Sequence, residues 1–199
     1  GLIRASEMMR PFLSFPTKHL GPSLRRWRLL NRVKQSALAD EIGVSQATVS
    51  RWEAGALVPD AREEARLVRL LAARPTSAAD RALLRLVMTS SLPMHLICDL
   101  THRLLAVSPA RAREWRVGAA DLMGTSLWRF ASDGIAVAEM ALAERGWYEA
   151  VAPDVTIVTE RAEHPELTIR AGCLHYARMP LSDGRFVRLV QDGVRIGPA

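Results

Sequence analysis

The segment from Gln35 to Trp52, QSALADEIGVSQATVSRW, limits the folds open to this chain more than any other part of it. Its first half carries apolar residues at the spacing that gives a helix one buried face, and its second half repeats such a face at an interval of three. These apolar residues are Leu38, Ala39, Ile42, Val49 and Trp52. The segment therefore predicts two short helices that pack together across a tight turn.

Three residues mark the turn itself. Gly43 can adopt the positive φ that such a corner requires. Val44 fills the corner, and Ser45 is a good N-cap because its hydroxyl accepts hydrogen bonds from the free amides of the next turn. We therefore expect a helix-turn-helix, with helices over residues 35–42 and 46–53.

The outer face of the second helix carries side chains suited to DNA bases. A glutamine amide, here Gln46, can pair with adenine, and an arginine, here Arg51, can pair with guanine in the major groove. Ala47 and Ser50 are on the same face. We expect these four residues to contact bases.

A longer window, residues 22–73, resembles the phage repressor and Cro (XRE-type) family of helix-turn-helix domains. The phrase from Ser45 to Gly55, followed by Pro59, is similar to the signature of that family, and so is the opening from Leu24 to Arg28. The resemblance implies a DNA-binding domain of several helices.

The resemblance also implies roles for individual residues. Gln46 stands where the family makes the first base contact of its recognition helix. Arg28 and Glu53 stand where the family carries an arginine–glutamate pair, so we expect a partly buried salt bridge between them. Gln35, at a helix N-terminus that favours anions, is expected to contact a DNA phosphate. The full set of expected phosphate contacts is Arg26, Arg32, Lys34, Gln35, Ser45 and Thr48.

Charge supports a nucleic-acid partner independently. Residues 1–74 contain 13 Lys or Arg and 7 Asp or Glu, whereas residues 75–199 contain 14 of each sign. The whole formal excess of +6 therefore lies in the segment that contains the helix-turn-helix. A basic module beside a neutral remainder is expected of a phosphate-binding domain.

Size and cysteine content limit the class of protein. At 199 residues the chain can form one large domain or two small ones. Cys98 and Cys173 fit no paired motif and are expected to be free buried thiols in a reducing compartment. No run of 18 apolar residues predicts a membrane span, and the first residues lack a signal-peptide core. We expect a cytoplasmic bacterial protein.

A further helix is predicted from Pro59 to Ala73, with an inner face of Ala61, Ala65, Val68 and Leu71.

After residue 74 the pattern changes. A helix over 78–90 carries an apolar stripe from Leu83 to Val87, which either packs on a neighbouring domain or forms dimer contacts as a signalling helix. Strands are predicted over 94–100 and 104–108, and helical segments over 109–116, 120–129 and 134–150. Three further strands are predicted over 155–160, 167–179 and 185–196, with an Asp183–Gly184 hairpin turn between the last two.

This succession of two strands, a helical middle and three strands resembles the PAS fold. The stretch from Leu96 to Ala110 and the phrase from Leu122 to Trp128 are similar to parts of that family, and a generic α+β domain is the alternative. The expected fold class is therefore α+β, with an N-terminal five-helix domain and a C-terminal five-stranded antiparallel sheet. The expected divisions are an arm at 1–19, the helix-turn-helix domain at 20–74, a linker or signalling helix at 75–92 and the PAS-like domain at 93–199.

Signatures of catalysis and of metal binding are absent from the sequence. It has no nucleophile elbow, P-loop, dinucleotide fingerprint or zinc-protease motif, and its five histidines lack ligand spacing. His164 and His175 are the candidates for a haem, and Cys98 and Cys173 lack the context of a flavin photosensor. We expect no enzyme activity, no metal and no cofactor, with a small-molecule ligand admitted only in the PAS-like domain.

The leading hypothesis is a homodimeric transcription regulator that binds double-stranded DNA, with a PAS-like domain for sensing or dimerisation. RNA polymerase or another transcription factor is a further candidate partner, and no membrane partner is expected. One alternative is a scaffold whose helix-turn-helix contacts a protein, and another is a ligand-modifying enzyme fused to a DNA-binding domain. The charge distribution argues against the first, and the lack of acid–base or nucleophile groupings argues against the second.

Overall fold

The computed structural model describes residues 20–193, so the arm predicted for residues 1–19 lies outside the described residues. The chain divides into two compact units between Arg69 and Leu70. This division falls within a helix, a few residues before the boundary that we predicted after residue 74. A helical N-terminal part followed by an antiparallel sheet confirms the α+β class.

Four helices form the described part of the first unit, and the last of them runs just past Arg69: α1 (Leu20–Leu30), α2 (Gln35–Ile42), α3 (Gln46–Glu53) and α4 (Ala61–Leu71). Helices α2 and α3 occupy the residues expected from the sequence. The four helices bury apolar side chains that are each at most 1% exposed to solvent. Burial of each such side chain stabilises the unit by about 1.5–3 kcal/mol. These side chains are Leu24, Leu38, Val49, Trp52 and Leu67.

The turn between α2 and α3 has the geometry that its residues predict. Gly43 has φ of 80°, and its N–H donates to the carbonyl of Ala39 at 2.8 Å, which ends α2. The side chain of Ser45 accepts a hydrogen bond from the backbone N–H of Thr48 at 3.1 Å, which begins α3. The Gly43 cap fixes the last residue of α2, and the Ser45 cap fixes the first residue of α3. Together they determine which face of α3 points outward.

The buried face of α4 differs from the one that we predicted. Ala61 and Ala65 were expected to face inward, but both are exposed, and Val68 is half-buried. The helix buries Leu71, as expected, at 6% exposed, and it also buries Leu67 at 0% exposed, which was not on the predicted face. Two leucines one turn apart offer more apolar area than two alanines, so their burial sets the rotation of the helix.

The second unit contains a five-stranded antiparallel sheet with the order β2-β1-β7-β6-β3. Its strands are β1 (Met94–Cys98), β2 (Leu104–Val107), β3 (Val155–Thr159), β6 (Gly172–Pro180) and β7 (Phe186–Asp192). A separate hairpin joins β4 (Ala162–Glu163) to β5 (Thr168–Ile169). The strand predicted over 167–179 is therefore two strands, because its first residues pair with β4 instead of joining the sheet.

A helical passage separates β2 from β3, which is the PAS-like arrangement. Its elements are α6 (Pro109–Ala112), α7 (Ala119–Leu122), a 3₁₀ turn (Leu127–Phe130) and α8 (Asp133–Ala141). They are shorter than the helices predicted over 109–116, 120–129 and 134–150. Gly124, with φ of 73°, interrupts the second of these segments, and Gly146, with φ of 76°, lies in the turn region that follows α8.

Helix α5 (Ala78–Met88) covers the sheet face opposite the helical passage. Val87 is buried, and Leu83 and Leu84 pack against the apolar side chains of β1, β2 and β7. Of the two uses expected for the Leu83–Val87 stripe, packing within the chain accounts for Leu83, Leu84 and Val87, while Leu86 stays 69% exposed. No helix within residues 20–193 is long and apolar enough to cross a membrane.

Buried hydrogen bonds fasten the start of α5 to the turn between β6 and β7. The carboxylate of Asp80 accepts from the amides of Thr76 and Ser77, and from both the amide and the hydroxyl of Ser182, at 2.9–3.1 Å. Burial disfavours its charged form, but these hydrogen bonds outweigh burial and hold the pKa of Asp80 well below its usual range. The helix is thus an integral part of the second unit.

Candidate nucleic-acid interface

The four residues predicted to contact bases lie together on one exposed face of α3. Gln46, Ala47, Ser50 and Arg51 are all exposed. The opposite face of the helix is anchored, because Val49, Trp52 and Glu53 are buried. The structure therefore presents the predicted base-contacting side chains as a single surface on a fixed helix.

Arg28 and Glu53 form a two-point ion pair that joins α1 to the end of α3. Nε of Arg28 donates to Oε1 of Glu53 at 2.7 Å, and Nη2 donates to Oε2 at 2.9 Å. Nη1 donates to the carbonyl of Val33 at 3.0 Å, so the guanidinium also holds the chain between α1 and α2. The two side chains are only 12% and 4% exposed, which makes the pair a structural clamp.

The protonation of this pair follows from its surroundings. Burial opposes the charge on Glu53, but the hydrogen bonds from Arg28 and Gln35 outweigh burial and lower the pKa of Glu53. The hydrogen bond with Glu53 raises the pKa of Arg28. Both groups are therefore charged at neutral pH.

A chain of hydrogen bonds runs from this ion pair to the exposed face of α3. Nε2 of Gln35 donates to Oε2 of Glu53 at 2.9 Å, and Nε2 of Gln46 donates to Oε1 of Gln35 at 2.6 Å. Gln35, which we predicted as a phosphate contact, thus also positions Gln46. Sequence reasoning missed this link, although the available signal was that Gln35 and Gln46 each occupy the first position of their helix, α2 and α3.

The other predicted phosphate contacts surround the two helix N-termini. Arg32 and Lys34 are exposed in the segment between α1 and α2, and Arg26 is half-buried on α1. Lys34 is the N-cap residue of α2, and its side chain makes no hydrogen bond with the first-turn amides of that helix. Ser45 and Thr48, at the start of α3, hydrogen-bond each other at 2.8 Å between their hydroxyl oxygens.

The second unit holds a buried charge network that the sequence did not predict. Asp99 accepts from Nε of Arg188 at 2.9 Å, from Nε of Arg178 at 2.7 Å and from the indole of Trp147 at 3.0 Å. Glu139 accepts from the other two nitrogens of Arg188 at 2.6 and 3.0 Å. Two carboxylates thus balance two guanidinium groups, as burial of charge requires. Burial opposes the charge on Glu139, but Arg188 outweighs it and keeps the pKa of Glu139 low.

Beside this network, between the sheet and the helical passage, lies a cavity of about 250 Å³. Most of its lining is apolar or aromatic, and it includes Trp115, Trp128, Phe130, Ile135, Leu174 and Tyr176. Two of the five tryptophans therefore line a cavity, whereas the other three, Trp27, Trp52 and Trp147, are core residues.

The histidines considered as haem ligands lie apart and have local partners. Nε2 of His164 is 3.1 Å from the carbonyl of Phe130, and Nδ1 of His175 is 2.7 Å from the hydroxyl of Thr156. Within residues 20–193, no group of three or more His, Cys, Asp or Glu side chains is placed to hold a metal ion. Cys98 is buried, Cys173 is partly buried, and both are free thiols.

Residues 19–84 match a family described as a helix-turn-helix domain. The described part of this segment has the two helices and the tight turn of a helix-turn-helix, and it is followed by the five-stranded sheet with a helical passage between β2 and β3. No curated protein matches the chain.

Twelve chains of known structure match, among them an RNA-binding light-oxygen-voltage receptor. That match has 13% sequence identity and a TM-score of 0.39, and it covers 94% of this chain. This chain spans 61% of the receptor chain. The PAS-like arrangement of the second unit consists of the strand order β2-β1-β7-β6-β3 and of the helical passage between β2 and β3.

Proposed function

We propose that this chain is a DNA-binding transcription regulator whose helix α3 contacts bases in the major groove. The observation that carries the proposal is the division of α3 into two faces. Val49 and Trp52 fix the helix in the core, while Gln46 and Arg51 project from its exposed side. A major groove about 12 Å wide accepts a helix presented in this way.

The hydrogen bond from Gln46 to Gln35 supports a specific mode of base contact. It uses one of the two N–H groups of the Gln46 amide and leaves the other N–H and the carbonyl oxygen for DNA. Adenine offers a matching acceptor and donor, N7 and the N6 amino group. Gln35 would therefore orient Gln46 for a two-point contact with adenine.

Positive charge beside the helix supports phosphate binding. Lys34 and Arg32 are exposed next to the N-terminus of α2, whose first amides also favour an anion. Such contacts do not select a sequence, but they set the position of α3 on the duplex.

The proposed role of the second unit is sensing or dimerisation, and the proposed regulator is a cytoplasmic, non-catalytic homodimer. A single helix of this length contacts few base pairs, so selection of a genomic site requires two half-sites about one helical turn apart. RNA polymerase or another transcription factor would be the protein that such a regulator engages.

The test is selection of bound duplexes from a randomised pool by the full chain, followed by titration of the selected duplex. We expect an enriched palindrome and an affinity that falls steeply with salt. Arg51→Ala should cost about 1–3 kcal/mol on the selected duplex and relax the preference at one base pair. Arg62→Ala, an equal change of charge at an exposed position of α4, is the matched control.

Two results would contradict the proposal. One is a pool without enriched sequences, together with duplex binding that does not respond to salt. The other is an equal loss for Arg51→Ala on every duplex, which would leave the exposed face of α3 without a role in base selection. The first result would favour a helix-turn-helix that contacts a protein.

A further inference from the structure

One side of the sheet is only partly covered by α5. The helix lies over β1 and β2, whereas β3 forms the opposite edge of the sheet. Gln191 of β7 is directly opposite Met94, which belongs to the core beneath α5. His175 of β6 is opposite Gln191, and Thr156 of β3 is opposite His175, so these side chains all lie on the same side of the sheet as α5. We call the part beyond α5 the open sheet face, and its residues are Thr156, Val158, Cys173, His175, Ala177 and Gln191.

The open sheet face contains no Asp, Glu, Lys or Arg. Val158 is 70% exposed, and Thr156, two residues before it on the same strand, is also exposed. The hydroxyl of Thr156 is 2.7 Å from Nδ1 of His175, so these two polar groups are hydrogen-bonded to each other. Proteins normally protect an exposed sheet edge with charged side chains, so an uncharged face that reaches the edge strand favours contact with another protein surface.

The outer side of α5 carries an apolar residue next to a cation. Leu86 is 69% exposed, and Arg85 beside it is also exposed. If α5 met α5 of a second copy across a two-fold axis at Leu86, the Arg85 side chains of both chains would be brought together, and like charges disfavour such a contact. The open sheet face offers an apolar surface to Leu86 and no cation to Arg85, so it suits the outer side of α5 better than a second α5 does.

The size of each surface also decides between arrangements. Three strands spaced by about 4.8 Å, with five residues of about 3.4 Å each, give the open sheet face a footprint of roughly 240 Å². A standard interface buries about 800 Å² on each partner, and weak ones bury less than about 600 Å². The open sheet face packed on its own copy is therefore too small for a dimer. The outer side of α5 adds roughly 160 Å², so the two surfaces together reach the size of a weak, reversible dimer.

We propose that the outer side of α5 packs on the open sheet face of a second copy of this chain, and that the second copy makes the same contact in return. Such reciprocity is what a two-fold dimer requires. Leu86 of each chain is then buried against Val158 of the partner subunit. The inference rests on the proposed homodimer and names the two surfaces that form it.

The test is sedimentation velocity of the full chain over a series of concentrations. Leu86→Glu and Val158→Lys should each weaken dimerisation about tenfold or more, because each places a charge against an apolar surface. The two substitutions combined in one chain should restore the dimer to within about tenfold of the unsubstituted chain, because both contacts then pair Glu with Lys. Val137→Lys should leave dimerisation unchanged, because this position is 68% exposed on α8, on the other side of the sheet.

The combined variant separates the proposal from its alternatives. If each surface met its own copy, the combination would place Glu against Glu and Lys against Lys, and its dimer would be weaker than that of either single variant. A combined variant without recovery, or an unsubstituted chain that stays monomeric at every concentration, would overturn the proposal.

A measurement on the unsubstituted chain guards against variants that fail to fold. In dimers mixed from isotope-labelled and unlabelled chains, we expect an intermolecular NOE between the methyl groups of Leu86 and Val158. Intermolecular NOEs from Leu86 to Leu86 or from Val158 to Val158 in its place would contradict the arrangement. Duplex selection is scored separately. A monomer that still enriches a DNA sequence would refute this dimer alone, and a dimer with these contacts that enriches none would refute DNA binding alone.

Discussion

Gln46 donates to Oε1 of Gln35 at 2.6 Å, and through Gln35 it is connected to the buried carboxylate of Glu53. An exposed side chain that is expected to select a base is thus held by a residue at the start of another helix. The two glutamines should have separable effects on DNA binding.

Replacement of Gln46 by alanine should change base preference, whereas replacement of Gln35 should lower overall affinity and change base preference to a smaller extent. Gln46→Ala removes a two-point contact with a base and should cost about 1–3 kcal/mol at one base pair of the selected site. Gln35→Ala removes a phosphate contact and the support of Gln46, so it should weaken binding on every duplex and relax the same base pair to a smaller extent. Titration of single-base variants of the site measures both effects, and an unaltered profile for Gln46→Ala would contradict the assignment.

Loss of one partner of the Arg28–Glu53 pair should destabilise the first unit. Arg28→Met leaves a buried carboxylate without its counter-ion and should cost about 3–5 kcal/mol in free energy of unfolding. The cost comes mostly from the stranded charge, so the double substitution Arg28→Met with Glu53→Leu should recover much of it. Arg62→Met, at an exposed position of α4, serves as the control. A urea unfolding curve for Arg28→Met that matches the unsubstituted chain would show that the pair is dispensable.

The parts of the first unit that sequence predicted best are determined locally. Gly43 and Ser45 set the turn through bonds that reach only a few residues along the chain, so their effect is visible in the sequence. The face of α4 was assigned correctly at Leu71 but wrongly at Ala61 and Ala65, because these alanines fit an apolar pattern as well as Leu67 does. Only packing against other helices decides between such faces.

The second unit contains a buried charge network and a cavity that local sequence patterns cannot predict. Asp99, Glu139 and Arg188 are far apart in the sequence, and each alone resembles an ordinary surface charge. Sheet pairing brings Arg188 opposite Ile97, and the helical passage then places Glu139 above it. The cavity arises in the same way, from strands and helices that sequence reasoning could order but not position.

Lys34 should contribute to DNA affinity without contributing to sequence preference. Its ammonium group is exposed beside the N-terminus of α2. Lys34→Ala should lower affinity on all duplexes and reduce the slope of log affinity against log salt by about one unit. Arg85→Ala, an exposed position on α5 in the second unit, should leave the slope unchanged. A slope unaltered by Lys34→Ala would remove this residue from the interface.

His95 should make the stability of the second unit depend on pH in the mildly acid range. Its pKa is lowered to about 3 in the folded chain, against about 6.5 when unfolded. The unfolded chain therefore binds the proton more readily, and stability falls as the pH drops from about 6.5 toward about 3. Between about pH 7 and pH 5 the loss from this group should be about 2 kcal/mol.

Unfolding by urea at a series of pH values measures this loss. His95→Phe should remove that part of the slope, and His175→Phe should retain it. A pH dependence identical in the His95→Phe variant and the unsubstituted chain would show that the imidazole is protonated equally easily in both states.

The side chains of α5 that remain exposed determine where contacts between two chains of a dimer should lie. Val87, Leu83 and Leu84 are packed on the sheet, so they are not free to meet a second chain. Leu86 remains 69% exposed on the outer side of α5, and Leu92, just beyond the helix, is 60% exposed. Apolar side chains of this size are what a two-fold contact would bury.

We therefore expect the full chain to be a dimer and Leu86→Glu to convert it to a monomer. Val137→Glu, an equal change at a 68% exposed position of α8, should leave the dimer intact. Light scattering coupled to size-exclusion chromatography gives the mass of each variant. If DNA selection depends on two half-sites, the monomeric variant should also bind the selected palindrome much more weakly and retain the affinity for a single half-site. A monomeric unsubstituted chain that binds one half-site tightly would refute the dimer and leave the second unit with sensing alone.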